Sequence, residues 1–215
     1  MKRIIVMLCT LVMVCCAAAA CAEVPVSNIC KPNAPVALKT LVGGKSFDAM
    51  ITGWETTGED EDGKLTISVT ICERDRFDPA VIDNLAERDI IRFGDGTVIM
   101  VMEVTRSDLG VIVKDGDGEG YSFFKDEDGN YIATTDTDYP FWTEVFSFKV
   151  PVEKDISFLD WSNPENLKEP VKLGYDEFLD HLLEEKRRFT ANNTRLTFDE
   201  NGKLVEILLN YSPWD

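Results

Sequence analysis

The sequence predicts an α+β fold: a mainly antiparallel sheet or a partly open β-barrel, with one substantial helix packed against it. Three observations carry this prediction. Residues 64–72 place apolar side chains at every second position, as a half-buried strand does. Residues 174–188 place them at helical spacing. The pair Asn201-Gly202 stands between two short apolar runs and predicts a C-terminal β-hairpin.

The first half of the chain is expected to begin with an extended arm over residues 23–44, because its three prolines disfavour a helix. Strands are predicted at 46–57 and 64–72. A short helix is predicted at 78–87, capped by Asp78 and starting with Pro79. A hairpin is predicted to follow, and its second strand is apolar on both faces over residues 98–102, which predicts a central position in a sheet.

The second half is predicted to continue as strands joined by acidic turns, at 111–113, 121–125, 131–135 and 143–152. The amphipathic helix at about 174–188 comes next, followed by the terminal hairpin. Residues 45–215 are therefore interpreted as a single α+β domain, with a weak subdivision near the proline-containing segment 153–171.

The N-terminus predicts export. Lys2 and Arg3 precede an apolar run over residues 4–20, and Ala20-Cys21-Ala22 fits a small-residue cleavage site. These are the three parts of a secretory signal peptide over residues 1–22, so the mature chain would begin at Glu23. The run is too short for a comfortable membrane span, and no transmembrane segment is expected in the mature chain.

An alternative interpretation of the same segment is lipidation. Ala18-Ala19-Ala20-Cys21 resembles a relaxed bacterial lipoprotein box, in which Cys21 would carry the lipid and tether the protein to a membrane. The box prefers a larger aliphatic residue where this chain has Ala18, which favours ordinary cleavage.

The charge balance excludes one class of partner. The chain has 22 basic and 39 acidic residues, a formal net charge of -17. Such a surface repels phosphates, so nucleic acid is not an expected partner, whereas cations, neutral glycans and basic proteins remain compatible. The simplest interpretation is that the charge keeps the protein soluble.

Two of the six cysteines, Cys30 and Cys72, lie outside the signal region. In an oxidising compartment they are expected to form a disulfide if the fold brings them together. The alternative is two unpaired thiols, with Cys72 partly buried on a strand. Two cysteines and a single histidine cannot supply a closed zinc site without carboxylates.

One acidic loop has the spacing of a calcium site. Asp115, Asp117, Glu119 and Asp126 occupy positions 1, 3, 5 and 12 of an EF-hand-type loop, with Gly120 at position 6. Position 12 is usually Glu, and the flanking segments are predicted strands rather than helices. An acidic, glycine-rich turn between strands therefore explains the pattern without a metal. No other cofactor is predicted.

Aromatic residues crowd between positions 121 and 148, and three of them, Tyr139, Phe141 and Trp142, fall in a predicted loop. If exposed, this trio could stack on a sugar ring or hold a peptide, whereas most of the other aromatics are expected in the core. His181 is the only histidine and is expected on a solvated helix face. Nothing in the sequence predicts a nucleophilic triad or a phosphate-binding loop.

These observations favour an exported, bacterial-type, non-catalytic module that binds a glycan or a protein at the cell envelope or exterior. One alternative is a glycan hydrolase that uses paired carboxylates, although the sequence does not select a pair. Another is a lipid-anchored envelope protein with a structural calcium site.

Overall fold

A computed structural model describes residues 29–33, 45–57, 64–164, 169–184 and 188–214. The two helices of the described chain are α1 (Pro79–Ile82) and α2 (Tyr175–Leu183). The strands are β1 (Ile29–Cys30), β2 (Lys45–Thr57), β3 (Lys64–Arg74), β4 (Arg76–Phe77), β5 (Ile90–Arg92), β6 (Val98–Met100), β7 (Glu103–Ser107), β8 (Gly110–Lys114), β9 (Gly120–Lys125), β10 (Tyr131–Thr135), β11 (Trp142–Val152), β12 (Ser157–Trp161), β13 (Val171–Leu173), β14 (Thr194–Phe198) and β15 (Leu204–Asn210).

The larger of two cores is covered by a seven-stranded sheet in the order β11-β3-β2-β14-β15-β12-β13. Every pairing in it is antiparallel except that of β12 with β15. The alternation predicted for residues 64–72 is confirmed, because all four apolar side chains of that run are fully buried in this core. Helix α2 packs on the same core, where its Phe178 ring lies 4.8 Å from that of Phe158.

The second core lies between two smaller sheets, ordered β4-β10-β9-β8-β7 and β1-β5-β6. Strands β4 to β10 lie in sequence between β3 and β11, which are neighbours in the large sheet. The second core is therefore built largely from an insertion into the first. Its centre is aromatic: Phe93 stacks on Phe141 with ring centroids 3.8 Å apart and contacts Phe77, Tyr121 and Phe123.

The sheet-rich, mainly antiparallel prediction is confirmed, and the C-terminal hairpin forms between β14 and β15. The three sheets formed by the described residues are open, and none of them closes into a barrel. The segment 153–171 carries β12 and part of β13, which pair with each other in the large sheet.

Both helices are shorter than predicted. Asp78 caps α1 by accepting a hydrogen bond from Ala80 N at 2.8 Å, and Pro79 is its first residue, as expected. The helix ends at Ile82 rather than near 87, and the following residues form turns that lead to β5 through Arg88, which has a φ of 73°. Helix α2 ends at Leu183, because Glu184 adopts an extended conformation.

The prediction of a central strand at residues 98–102 is wrong. Strand β6 is the edge of its sheet and pairs only with β5. Ile99 is buried, whereas Val98 and Met100 on the opposite face are about half exposed. Two residues after β6 ends, Met102 N donates to Lys114 O of β8, which connects this part of the chain to the five-stranded sheet.

Several sequence predictions fall outside the described residues: the signal peptide over residues 1–22, the lipidation site at Cys21 and most of the extended arm. Of the arm, β1 is described, and it pairs in parallel with β5. In the described part of the chain no helix has the length and hydropathy needed to cross a membrane.

Candidate functional site

A cleft of about 450 Å³ opens where the large sheet meets the smaller sheets. Its walls come from β2, β3 and β11, from the β5–β6 turn, from the loop before β11 and from the loop before β14. This volume is within the range of small-molecule sites, which often lie between structural units. The described lining residues are Met50, Cys72, Gly94, Asp95, Tyr139, Pro140, Trp142, Glu144, Thr190, Ala191 and Asn192.

Strand register explains the floor of the cleft. Glu144 lies opposite Cys72, and Cys72 lies opposite Asp48 on the next strand. Trp142 is two residues before Glu144 and pairs with Arg74. Since side chains two apart share a face of a strand, Trp142 and Glu144 both face the cleft.

The structure separates the three loop aromatics that the sequence singled out. Tyr139 and Trp142 line the cleft, and Tyr139 is 40% exposed. Phe141 is only 5% exposed and lies in the second core under Phe93, so it offers no surface to a ligand. The inclusion of Phe141 in the predicted binding trio therefore has to be corrected.

Two contacts fix the orientation of the remaining aromatic pair. The Trp142 indole Nε1 donates to Asn192 Oδ1 at 2.8 Å, which ties β11 to the loop before β14. Tyr139 makes an edge-to-face contact with Trp214, with centroids 5.9 Å apart, and Trp214 Nε1 donates to Thr137 O at 3.1 Å. The C-terminal residues thus support the aromatic wall of the cleft.

A buried carboxyl group lies behind the cleft. Asp75 is 1% exposed and accepts hydrogen bonds from Gly94 N and from Thr143 Oγ1, both at 2.6 Å. Burial raises the pKa of Asp75, and the two hydrogen bonds only partly oppose that effect. Asp75 therefore links the β5–β6 turn to β11 and fixes two walls of the cleft relative to each other.

The predicted disulfide between Cys30 and Cys72 is not present in this structure, where both cysteines are buried free thiols. Cys30 belongs to the second core, whereas Cys72 lies on the large sheet and donates to Thr70 O at 3.6 Å. Burial, followed by the charges of Glu144 and Asp48, raises the pKa of Cys72 to about 12. A thiol with so high a pKa stays protonated at neutral pH, and the protonated form is the less reactive one.

The four residues of the predicted calcium loop are not brought together. Asp115 and Asp126 lie at opposite ends of β9, whose six residues span about 20 Å. In the described ranges no group of three or more His, Cys, Asp or Glu side chains is arranged to hold a metal ion. The EF-hand spacing is thus produced by two successive hairpin turns.

Each of these turns uses an aspartate as its internal acceptor. Asp115 Oδ1 accepts from the amides of Asp117 and Glu119, and Asp126 Oδ1 accepts from those of Asp128 and Asn130. Asp199 does the same in the C-terminal hairpin. The glycine three residues after the aspartate of each turn has a φ between 78° and 86°, a conformation that side chains disfavour. The acidic residues are therefore explained by hairpin chemistry.

His181 is not on the solvated face predicted for it. Its Nδ1 lies 3.7 Å from Asp160 Oδ2, both side chains are mostly buried, and its ring contacts Phe158 edge-on. This pair connects α2 to β12 and does not line the cleft.

Comparison of the chain with protein-family models, with curated proteins and with solved structures finds no match.

Sequence reasoning found two of the lining side chains, Tyr139 and Trp142, but missed the polar ones. Glu144 was open to inference, because it follows Trp142 at strand spacing. Asp95 and Asn192 come from distant loops, and nothing in their local sequence indicates that they meet Trp142. Their meeting depends on the packing of the insertion against the large sheet.

Proposed function

We propose that the protein is an exported, non-catalytic module of the cell envelope or exterior that binds its ligand in this cleft. The observation that carries the proposal is the convergence of two partly exposed aromatic side chains with carboxylate, amide and hydroxyl groups in one cavity. Ligand sites typically combine apolar or aromatic contact area with a few placed polar groups.

A binding role is supported by the packing of the cleft's aromatic side chains as well as by the composition of its lining. Trp142 is held through its Nε1 hydrogen bond and Tyr139 packs against Trp214, so both rings already have partners within the protein. A preorganised site loses less conformational entropy on binding. The buried Asp75 carboxyl and the His181–Asp160 pair both serve packing contacts outside the cleft, which favours binding over acid–base catalysis.

Replacing Trp142 with alanine is expected to weaken ligand binding at least about tenfold, because buried aromatic anchors dominate binding energies. The measurement is calorimetric titration of the wild-type protein with neutral oligosaccharides, small amines and basic peptides, repeated with the variant. Trp54→Ala is the matched control, since Trp54 is 42% exposed near the far end of β2 and does not line the cleft.

Equal affinity in the Trp142 and Trp54 variants would contradict the cleft as the binding site. Absence of binding across all three ligand classes would contradict the binding role itself. Chemical conversion of a bound ligand would overturn the non-catalytic part of the proposal.

The export part of the proposal rests on the signal-peptide pattern and has its own test. The protein purified from its native host is expected to begin at Glu23, and intact-mass measurement checks this. A chain that still begins at Met1 would contradict export by this route. A chain that begins at an acylated Cys21 would replace the soluble form with a lipid-anchored one.

A further inference from the structure

The charged groups on the cleft wall all have the same sign. Asp95 and Glu144 both line it, and none of the described lining residues is Lys or Arg. The protein as a whole carries a formal net charge of -17. A cleft with walls of one charge concentrates ligands of the opposite charge.

Both carboxylates are available to a ligand. Glu144 is exposed, and among the described residues it has no ion-pair partner, whereas its neighbour Asp48 pairs with Arg195 at 3.1 Å. Asp95 is exposed, and its side chain is oriented by the amide and the hydroxyl of Thr97, at 2.8 and 3.1 Å. Placed carboxylates of this kind accept charge-assisted hydrogen bonds from ammonium or guanidinium groups.

The aromatic side chains that line the cleft, Trp142 and Tyr139, are also suited to binding a cation. The Arg74 guanidinium already lies over the Trp142 ring, 5.7 Å from its centroid, so this indole accommodates a cation within the fold. Arg74 itself lines a smaller neighbouring pocket of about 250 Å³ and not the cleft. The ring surfaces of Trp142 and Tyr139 that face the cleft can contact the aliphatic part of a cationic ligand or the charge itself.

We propose that the cleft binds an organic cation, namely a primary ammonium or guanidinium group on a short aliphatic chain, with its charge at Glu144 and Asp95 and its chain against Trp142. This inference rests on the proposed function and specifies its ligand. A neutral ligand leaves the two carboxylates uncompensated, whereas a cation pairs with them, which gives the cleft its selectivity.

The test uses 1,5-diaminopentane and agmatine as cationic probes and 1,5-pentanediol as a neutral probe of similar length, each titrated calorimetrically into the full mature chain. We expect the two amines to bind and the diol not to bind. Glu144→Gln should weaken amine binding about tenfold, and Asp95→Asn should also weaken it, because each removes one charge partner. Raising the salt concentration should weaken amine binding to the wild type through screening.

Glu55→Gln is the matched control, because Glu55 lies toward the far end of β2, where it pairs with Lys149 at 3.0 Å. Equal amine affinity in the Glu144 and Glu55 variants, or diol binding as tight as diamine binding, overturns the inference. Trp142-dependent binding of a neutral oligosaccharide without amine binding overturns this inference and leaves the proposed function standing. Absence of binding by every probe overturns both. Glu144→Gln and Glu55→Gln both change exposed side chains. Melting temperatures equal to that of the wild type would show that neither substitution affects folding.

Discussion

Replacing Gly94 with alanine is expected to lower the free energy of unfolding by about 3 kcal/mol, the upper end of the cost of overpacking. A Cβ at this position would overlap Thr143 Oγ1 and Asp75 Oδ1 and would lie 2.8 Å from the backbone Cα of Thr143. Neither neighbour can move freely, since the two are hydrogen-bonded to each other at 2.6 Å. The measurement is urea unfolding at neutral pH, followed by circular dichroism.

Gly116→Ala provides the control for this experiment. Gly116 lies in an exposed turn, and an added Cβ there would meet no atom within 4 Å. We expect a change within about 0.5 kcal/mol, as for most surface substitutions. If the two variants are equally stable, β11 does not pack against the β5–β6 turn as described.

Replacing Asp75 with alanine is expected to destabilise the protein by about 3 kcal/mol at neutral pH, because it leaves the Gly94 amide and the Thr143 hydroxyl without their acceptor in a buried site. The loss of stability caused by Asp75→Ala should also depend on pH. Burial raises the pKa of Asp75 in the folded protein above its ordinary value, so the folded state binds this proton more tightly than the unfolded state does.

The wild type therefore gains stability from Asp75 as the pH falls through the raised pKa toward 3.8, and loses it as the pH rises again. The difference between wild type and Asp75→Ala should accordingly grow as the pH is lowered from 8 to about 4.5, which urea unfolding at both pH values measures. A difference that shrinks would mean that the hydrogen bonds outweigh burial and that the pKa of Asp75 is lowered.

Replacing Asp199 with alanine is expected to change stability with the opposite pH dependence. Backbone hydrogen bonds, first of all from the Lys203 amide, lower the pKa of Asp199. The stability that this carboxylate contributes is present above its ordinary pKa and is lost as the pH falls. The difference between wild type and Asp199→Ala should therefore stay nearly constant between pH 8 and about 4.5 and shrink only below 3.8, where the Asp75 difference no longer grows.

Some local sequence patterns were sufficient to predict the structure of their element correctly. The alternation in β3 predicted burial correctly, because the period of two in a strand is a property of the backbone itself. Asn201-Gly202 predicted its hairpin because the turn needs a residue at positive φ, and Gly202 has a φ of 78°. Asp78 and Pro79 located the start of α1, since capping involves only neighbouring residues.

The errors share a different physical cause. The end of α1 depends on how the chain enters β5, and the edge position of β6 depends on which strands pair, neither of which is local. The EF-hand spacing of Asp115 and Asp126 was misleading, because residues eleven apart are close in a bent loop and far apart along a strand. Phe141 and Trp142 are sequence neighbours at the start of a strand, so one enters the core and the other the cleft.

The sequence by itself thus determined many local elements of this protein: most of its longer strands, its acidic hairpin turns, the start of its first helix and its strongly acidic composition. The strands, turns and helix start follow from backbone conformation, which neighbouring residues specify. The acidic character follows from the composition of the chain. Only the tertiary structure decided that β4 to β10 form a second core inserted between two paired strands. The cleft exists because that insertion packs against the large sheet, and so Asp95, Glu144 and Asn192 meet Trp142 through contacts between residues far apart in the chain.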